Sequence, residues 1–517
     1  MPNIATTLTG ARRLHAERTA LRYADRHLTY GELDDAVRRF ASALLSSGLR
    51  PGDRVAVFAK NCPEYVITMY GAFAAGMVIV PVNAKLAGPE LAVILEDSET
   101  RLLVHDAASA ALVEAAAGPD LATLRIGPAF DRFLAVGDPD QQVADLDEDT
   151  VAWLFYTSGT TGRPKGAMLT HRNLTAMMWL ELANVCDYRA EDVALHVTPL
   201  SHGGGLYLLG AVARGATNLV YSGSSFVPGE VLQLIEREGV TVIAFLAPTM
   251  IVMLLDADAE SAVDTSSLRR AVYGGAPMHL DHARRMVDRF GAVFVQIYGQ
   301  GESPMTITYL DLADGPVDDD RLISAGVPHP GVEVAVLDAD DRPVAVGGTG
   351  EICVRGDTVM RGYLGNPEAT AATLRNGWLH TGDVGRFDEH GRLTLLDRSK
   401  DVIISGGTNI YPREVEDALL LHPGVRQVVV FGEPDEVWGE SVTAAVVREA
   451  VADVSADELI EWCRTRIAGF KKPKRVVFVD ELPRNAYGKV LRREVRDRLV
   501  AGVGQLSSKE RLARPAM

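Results

Sequence analysis

The chain has 517 residues, 52 basic against 69 acidic, for a formal net charge of −17. At roughly 150 residues per domain this length suggests about three structural units. A composition of 47% hydrophobic and 23% charged residues is too apolar for a disordered chain. The acidic balance excludes nucleic acid as the natural partner, because binding a phosphate backbone needs a basic face. Cys62, Cys186, Cys353 and Cys463 form no CxxC pair, and the opening MPNIATTLTGARRLHAERTA has no apolar signal core. A reducing cytoplasm is the expected compartment.

Taken in order, GELDDAVRRFASALLSSGL (31–49) has the spacing of an amphipathic helix, and RVAVFA (54–59) reads as a buried strand. Tyr65–Val82 is apolar over the length of a membrane span, but Gly71, Gly76 and Pro81 interrupt it. It reads as a helix followed by a buried strand at Met77–Val82, with no stable membrane insertion. Further strands are expected at 101–106, 151–156, 218–222, 242–247 and 293–299, with a helix at 281–292. Strand–helix alternation of this kind implies parallel sheets covered by helices. From about Leu322 the texture changes to short strands with turn signals, VEVAVLDADDRPV, GEICVRG and GRLTLLD, which predicts a β-rich subdomain. After DRSKD (397–401) a small α/β unit is expected, with helices at PREVEDALLLH and ADELIEWCRTRI around two strands. The expected fold class is therefore α/β: a large N-terminal domain of helix-covered sheets with a β-rich subdomain (1–397), a hinge (398–401), a small mobile C-terminal domain (402–500) and a tail (501–517).

The segment richest in chemistry is YTSGTTGRPKGAMLTHRN (156–173). It follows a strand; Thr157, Ser158, Thr160 and Thr161 offer hydroxyls, Gly159, Gly162 and Gly166 allow close backbone approach, and Lys165 brings charge. That is a cradle for a polyphosphate, and its spacing is not that of a Walker A loop. The segment resembles the signature of the adenylate-forming superfamily of acyl-CoA synthetases, adenylation domains and firefly-type luciferases. The resemblance runs from LTYGEL (28–33) to GKVLRREV (488–495), with motifs in the family's order.

The resemblance implies roles position by position. Gly275, Ala276 and Pro277 in YGGAP would lie along the adenine, with Tyr298 of YGQGES stacked on it. Gly299, Gln300 and Gly301 complete that loop, and Glu302 would hold a Mg²⁺ bridging the ATP phosphates. The family usually has threonine or serine where this chain has Gly301, and Ser303 is the candidate to replace the missing hydroxyl. Asp383 of TGD, expected at a turn before a strand, would accept both ribose hydroxyls, with Arg398 also reaching the ribose. Lys400 matches the hinge position, and Lys489 matches the catalytic lysine whose charge lets a carboxylate meet a phosphate.

The acid pocket is expected near PLSHGGGLYLLG (199–210), where His202 matches a gating histidine. Gly203, Gly204 and Gly205 stand where related aryl ligases place larger side chains, so a bulky, aromatic or branched acid is expected. Trp179, Tyr207, Tyr273, Gly274 and Met305 are candidates for its walls, and the absence of an aspartate beside His202 disfavours amino acids. SGGTNIYP (405–412) resembles the loop that admits pantetheine, through Gly406 and Gly407, though Thr408 replaces a frequent glutamate. Trp438, Phe470 and Lys472, with Lys471, Lys474 and Arg475, resemble groups that contact CoA. The segment from 490 to 517 is too short for a fused carrier domain, so a free-standing ligase is expected.

The resulting expectation is an AMP-forming acid–thiol ligase using ATP, Mg²⁺ and CoA on a small carboxylic acid, with a homodimer left open. Lys489, Glu302 and His202 are its expected catalytic residues. Competing readings are adenylation for another acceptor (a carrier-protein thiol, an amine or nitrite), a luciferase-type oxygenase, and a non-catalytic adenylate-binding protein.

Overall fold

The computed structural model of the chain describes residues 3–158, 164–258, 263–276, 278–405, 408–435, 437–449, 454–484 and 490–500, the side chains of Ser158, Ser399 and Val500 excepted. The expected tail lies outside these residues. Among the described residues the strands form four sheets. One runs, from edge to edge, through Ala122–Arg125, Thr100–His105, Arg54–Phe58, Val78–Pro81, Val151–Ser158 and Pro164–Thr170, parallel except for the last pair. A nine-stranded sheet has a parallel centre, Phe294–Tyr298, Arg270–Gly274, Val242–Leu246, Val193–His196, Thr217–Val220 and Thr19–Tyr23, with antiparallel strands at both ends.

Both sheets contribute to one shared core. The Pro63–Ala74 helix is buried along its whole length and the Gly203–Ala213 helix nearly so, packed with the Tyr30–Ser46 and His171–Asn184 helices around Phe40, Tyr65, Phe73 and Trp153. Burial on every side explains why these two helices lack a polar stripe and why 65–82 mimics a membrane span. Among the described residues no helix is long and apolar enough to cross a membrane. Local chemistry fixes the helix starts. Thr29 and Glu32 close a capping box on Tyr30–Ser46, and Thr170 with Asn173 does the same for His171–Asn184.

The β-rich subdomain is an antiparallel sheet of Glu333–Leu337, Gly350–Arg355, Trp378–Phe387 and Leu374–Arg375, with Leu393–Arg398 paired to Trp378–Phe387. One expectation is corrected here. Thr381–Asp383 does not precede a strand; it lies inside Trp378–Phe387, where Asp383 pairs with Arg398 and the register slips between Val384 and Gly385. The irregularity lets a functional side chain leave an otherwise regular strand.

Residues beyond 402 build a separate sheet, with Gly439–Arg448 between the antiparallel Val425–Asp435 and the parallel Arg475–Phe478. Its two faces carry their own cores, one around Ile410, Val415, Leu419 and Leu459, the other around Phe431, Val479 and Val495. This lobe touches the rest of the chain through polar groups. His279 Nδ1 lies 2.6 Å from Asp417 Oδ1, and the Arg413 guanidinium donates to the carbonyl of Leu395 at 3.2 Å.

Candidate functional site

The site assembles where three chain segments converge. The strand Val151–Ser158 turns back as Pro164–Thr170, so the phosphate-loop signature lies on a β-hairpin. The hairpin is fastened to the β-rich subdomain: the Met168 amide donates to Gly362 O, the Leu364 amide to Gly166 O, and Ala167 pairs with Tyr363. The third segment is the turn after Phe294–Tyr298. There a Cβ on Gly299 would stand 2.5 Å from the Met305 nitrogen, and the Gln300 amide donates to Ser303 O. Only glycine allows that approach, and Met305 completes the turn at φ +61°.

Two clusters of side chains result. In the first, the hydroxyls of Tyr363 and Thr157 donate to Glu302 Oε1 at 2.7 and 3.2 Å, and Lys165 Nζ lies over the Tyr363 ring, 5.1 Å from its centroid. Glu302 Oε2 has no hydrogen-bond partner among the described residues. A carboxylate fixed through one oxygen and open at the other suits a hard cation. Tyr363 was not anticipated; the only signal was an aromatic residue in the glycine-flanked RGYLG (361–365).

In the second cluster Asp383 is the centre. Its Oδ2 accepts from Tyr298 OH at 2.8 Å and from Gln300 Nε2 at 2.6 Å, while Arg398 Nε lies 3.3 Å from Oδ1. Gln300 also donates to Thr381 O, and Thr381 Oγ1 accepts from the Asp383 amide. The Tyr298 ring packs with Ile307, Ala325 and Leu379, and burial pushes its phenol well above the ordinary range. Lys400 is exposed on the short turn Ser399–Asp401 immediately after Arg398.

The acid-pocket candidates separate. Tyr207 and Phe245 stack at 5.8 Å with an 11° interplanar angle, and Met305 packs against them. Phe245, unsingled in VIAFLA, faces the same place, since its Cζ is 3.8 Å from a Cβ built on Gly275. The backbone carbonyl of Ile297 closes off the side of Gly274 at 2.5 Å. Ala276 follows in the same bend. His202 caps the Gly203–Ala213 helix with its Nδ1 2.9 Å from Ser201 Oγ and its ring edge-on to Phe155. Burial lowers the His202 imidazole to about 4, so it is neutral at physiological pH.

Several expectations are corrected by these positions. Tyr273 does not join the Tyr207–Phe245 wall; it is fully buried in another core, edge-on to Phe294, with its hydroxyl on Gln296 Oε1. Trp179 is 53% exposed. The three glycines do not simply enlarge a cavity. A Cβ on Gly204 would stand 2.6 Å from Thr198 O and one on Gly205 2.1 Å from Leu200 O, so both are there to seat the helix on the preceding turn. At Gly203 the space is already occupied by Met305 and Phe245 side chains. Ser303 does not stand in for a residue-301 hydroxyl; it is buried and bonded to Thr358 Oγ1 at 3.0 Å.

The basic run of the C-terminal lobe is largely neutralised. Lys471 pairs with Glu414, Arg475 with Glu433, and Lys474 with Asp435 while lying over the exposed Trp438 ring. Lys472 has no ion pair among the described residues, and Phe470 is exposed. Gly159, Thr160, Thr161, Gly162, Pro277, Gly406, Gly407, Lys489 and the side chain of Ser158 lie outside the described residues.

Comparison with known proteins gives the site its context. Residues 9–364 match the family described as AMP-binding enzyme, and residues 414–489 the AMP-binding enzyme C-terminal domain. The chain is 43% identical to a feruloyl-CoA synthase of an Amycolatopsis species, over 94% of this chain and 97% of that protein. It is 38% identical to a fatty acid–[acyl-carrier-protein] ligase of Streptomyces coeruleorubidus, over 92% of each. The solved structure of the o-succinylbenzoate CoA synthetase of Bacillus subtilis, in complex with its acyl-adenylate intermediate, superposes with a TM-score of 0.85 at 34% identity, over 96% of this chain and 98% of that one.

Proposed function

Because the chain belongs to the AMP-binding enzyme family, we propose that it activates an aryl-type carboxylic acid with ATP and transfers the acyl group to CoA. The observation that carries this reading is the convergence of the Glu302–Tyr363–Thr157 and Asp383–Tyr298–Arg398 clusters beside an aromatic wall. In the first step a carboxylate oxygen bonds to the α-phosphorus as the bond to pyrophosphate breaks. In the second the CoA thiol attacks the acyl carbon and AMP leaves.

This chain's residues divide that work. Asp383, held by Tyr298, Gln300 and Arg398, offers an ionised acceptor for the ribose hydroxyls. Lys165 and the hydroxyls of the phosphate-loop signature are the groups this reading assigns to the phosphates. When bound, Mg²⁺ supplies charge to the phosphate oxygens, and Glu302 is the residue that fits it. Neutral His202, edge-on to Phe155 and one residue before Gly203, whose side meets Met305 and Phe245, is the gate of the acyl pocket in this reading. Lys489 supplies the cation for the first step. The C-terminal lobe then turns about Lys400, between an N-terminal part at 1–397 and a lobe at 402–500, to admit the thiol past Gly406, Gly407, Trp438, Phe470 and Lys472. Support for an aryl acid comes from the stacked Tyr207 and Phe245 and from the feruloyl-CoA synthase relative.

The test is pyrophosphate release from Mg·ATP with hydroxycinnamic, benzoic and medium-chain acids, with and without CoA, for the wild type and Lys489→Ala. Turnover with a hydroxycinnamic acid that needs both CoA and Lys489 supports the reading. One turnover that CoA does not relieve overturns CoA as acceptor and points to a carrier thiol, the acceptor in the Streptomyces relative's name. Preference for the medium-chain acid overturns the aryl assignment.

A further inference from the structure

Next to the strand segment that carries Asp383, three side chains able to bind a transition metal meet on facing strands. Glu351 and Cys353 are two residues apart on Gly350–Arg355 and so share a face. His380 on Trp378–Phe387 is the direct cross-strand partner of Cys353. His380 Nδ1 lies 2.8 Å from Glu351 Oε2 and 3.3 Å from Cys353 Sγ, and the three ligand atoms all fall within 4.8 Å of one another. A tetrahedral ion with bonds of about 2.0 Å to nitrogen and oxygen and about 2.3 Å to sulfur needs ligand separations of about 3.3 and 3.5 Å. The two sides that meet at His380 Nδ1 have only to open by about half an ångström or less, and the Glu351–Cys353 side, which lies within 4.8 Å, has to settle near about 3.5 Å as the ion takes the place of the shared proton.

The surroundings fit as well. A ligating histidine usually gives its second ring N–H to a carboxylate. His380 Nε2 is buried with no hydrogen bond among the described residues, and Asp341 Oδ1 is 3.8 Å from it. Cys353 is fully buried and His380 is 7% exposed, while Glu351 is partly open and gives an entry side. The one opposing group is Arg375, 3.4 Å from both Glu351 Oε2 and Asp341 Oδ1. Its side chain is 43% exposed and otherwise donates to Ala372 O at 3.2 Å, so it can leave the carboxylates for solvent. An imidazole, a thiolate and a carboxylate together select Zn²⁺ over Mg²⁺ or Ca²⁺.

We propose that Glu351, Cys353 and His380 form a binding site for one Zn²⁺ ion, with water as the fourth ligand, and that the occupied site restrains adenylation. The coupling runs through Glu351, whose other oxygen accepts the Gly382 amide at 2.9 Å, immediately beside Asp383. An ion drawing charge from that carboxylate weakens its hold on Gly382 and loosens the irregular stretch of strand that presents Asp383. The ion site stands on the ligand geometry alone; its effect on ATP rests on the proposed adenylation.

Cobalt(II) serves as the spectroscopic probe, titrated into the purified metal-free chain. One ion per chain with an intense near-ultraviolet thiolate-to-cobalt band, lost in Cys353→Ser and in His380→Gln but kept in Cys463→Ser, is the expected result. Binding without that band, or a band that survives Cys353→Ser, overturns the site; if Cys353→Ser does not fold, His380→Gln decides alone. In the second arm Zn²⁺ raises the KM for ATP at least threefold in the wild type and leaves His380→Gln unmoved. An unchanged wild-type KM with cobalt bound overturns the restraint. Absence of pyrophosphate release in metal-free protein would instead count against the proposed adenylation, and the cobalt arm would still decide the site.

Discussion

A Cβ built on Gly301 would stand 2.6 Å from Cδ1 of Phe155, closer than real side-chain contacts come. The same atom would lie 2.7 Å from Thr157 Cγ2. Phe155 and Thr157 alternate onto one face of their strand, so the ring and the phosphate-loop threonine meet the turn together. The departure from the family pattern at residue 301 is thus matched by an aromatic ring already filling the space. Gly301→Thr should lower kcat/KM for the acid by about tenfold or more through overpacking that displaces Phe155 and the His202 edge. Phe155→Leu added to Gly301→Thr should recover most of that loss. Steady-state kinetics of the two single variants and the double variant checks this, and additive losses would refute the packing account.

Tyr363 fixes the carboxylate of Glu302 through one charge-assisted hydrogen bond. Tyr363→Phe keeps the ring under Lys165 and removes only the hydroxyl. Bonds of this type contribute about 1.5–3 kcal/mol, so the KM for Mg·ATP should rise by about tenfold or more, with the Tm changing little. Pyrophosphate-release kinetics at varied Mg·ATP makes the comparison.

Asp383 gathers three donors that would be left without an ionised acceptor in Asp383→Ala. The expected outcome is a loss of about 2–3 kcal/mol in ATP binding, read by calorimetric titration with a non-hydrolysable ATP analogue. Asp383→Asn should fall between the two, since its amide accepts through only one oxygen. Equal affinity in all three proteins would remove Asp383 from the nucleotide site.

Arg492 joins the lobes at the turn near Lys400. Its guanidinium lies 2.9 Å from Asp397 and 3.0 Å from Glu416, with Asp401 at 3.5 Å. Burial pushes the Glu416 carboxyl up despite that partner. Removing the arginine leaves two buried carboxylates facing one another, and Arg492→Ala should cost about 3 kcal/mol or more. Denaturant unfolding would show it as a lower midpoint, and Arg492→Lys should recover only part, because one ammonium cannot bridge all three.

Four imidazoles lowered by burial set the acid limit. Burial lowers His171, His196 and His202 to about 4 and His329 to about 3, from an ordinary value of 6.5. Below pH 6.5 the unfolded chain takes up protons that the native rings refuse, so stability falls as pH drops from 6.5 toward 4. Each ring contributes up to about 3 kcal/mol to that fall. Unfolding midpoints at pH 7.5, 6 and 5 should decline steadily, with a shallower slope in His171→Gln. A flat profile across that range would refute the assignment.

The sequence by itself determined the strand–helix order, the change to a β-rich texture near Leu322 and the identity of the nucleotide motifs, because each is written in short contiguous runs. The buried helix behind the apolar stretch at 65–82 was legible for the same reason, since Gly76 marks where helix gives way to strand. What only the tertiary structure decided are relations between distant segments. That Tyr363 grips Glu302, that Phe155 occupies the room at Gly301 and that Tyr273 belongs to a core rather than to the acid wall depend on packing across 21 to 146 positions of chain. Periodicity says which face of a strand a side chain takes, but not which other strand, brought up by the sheet's crossovers, will stand against it.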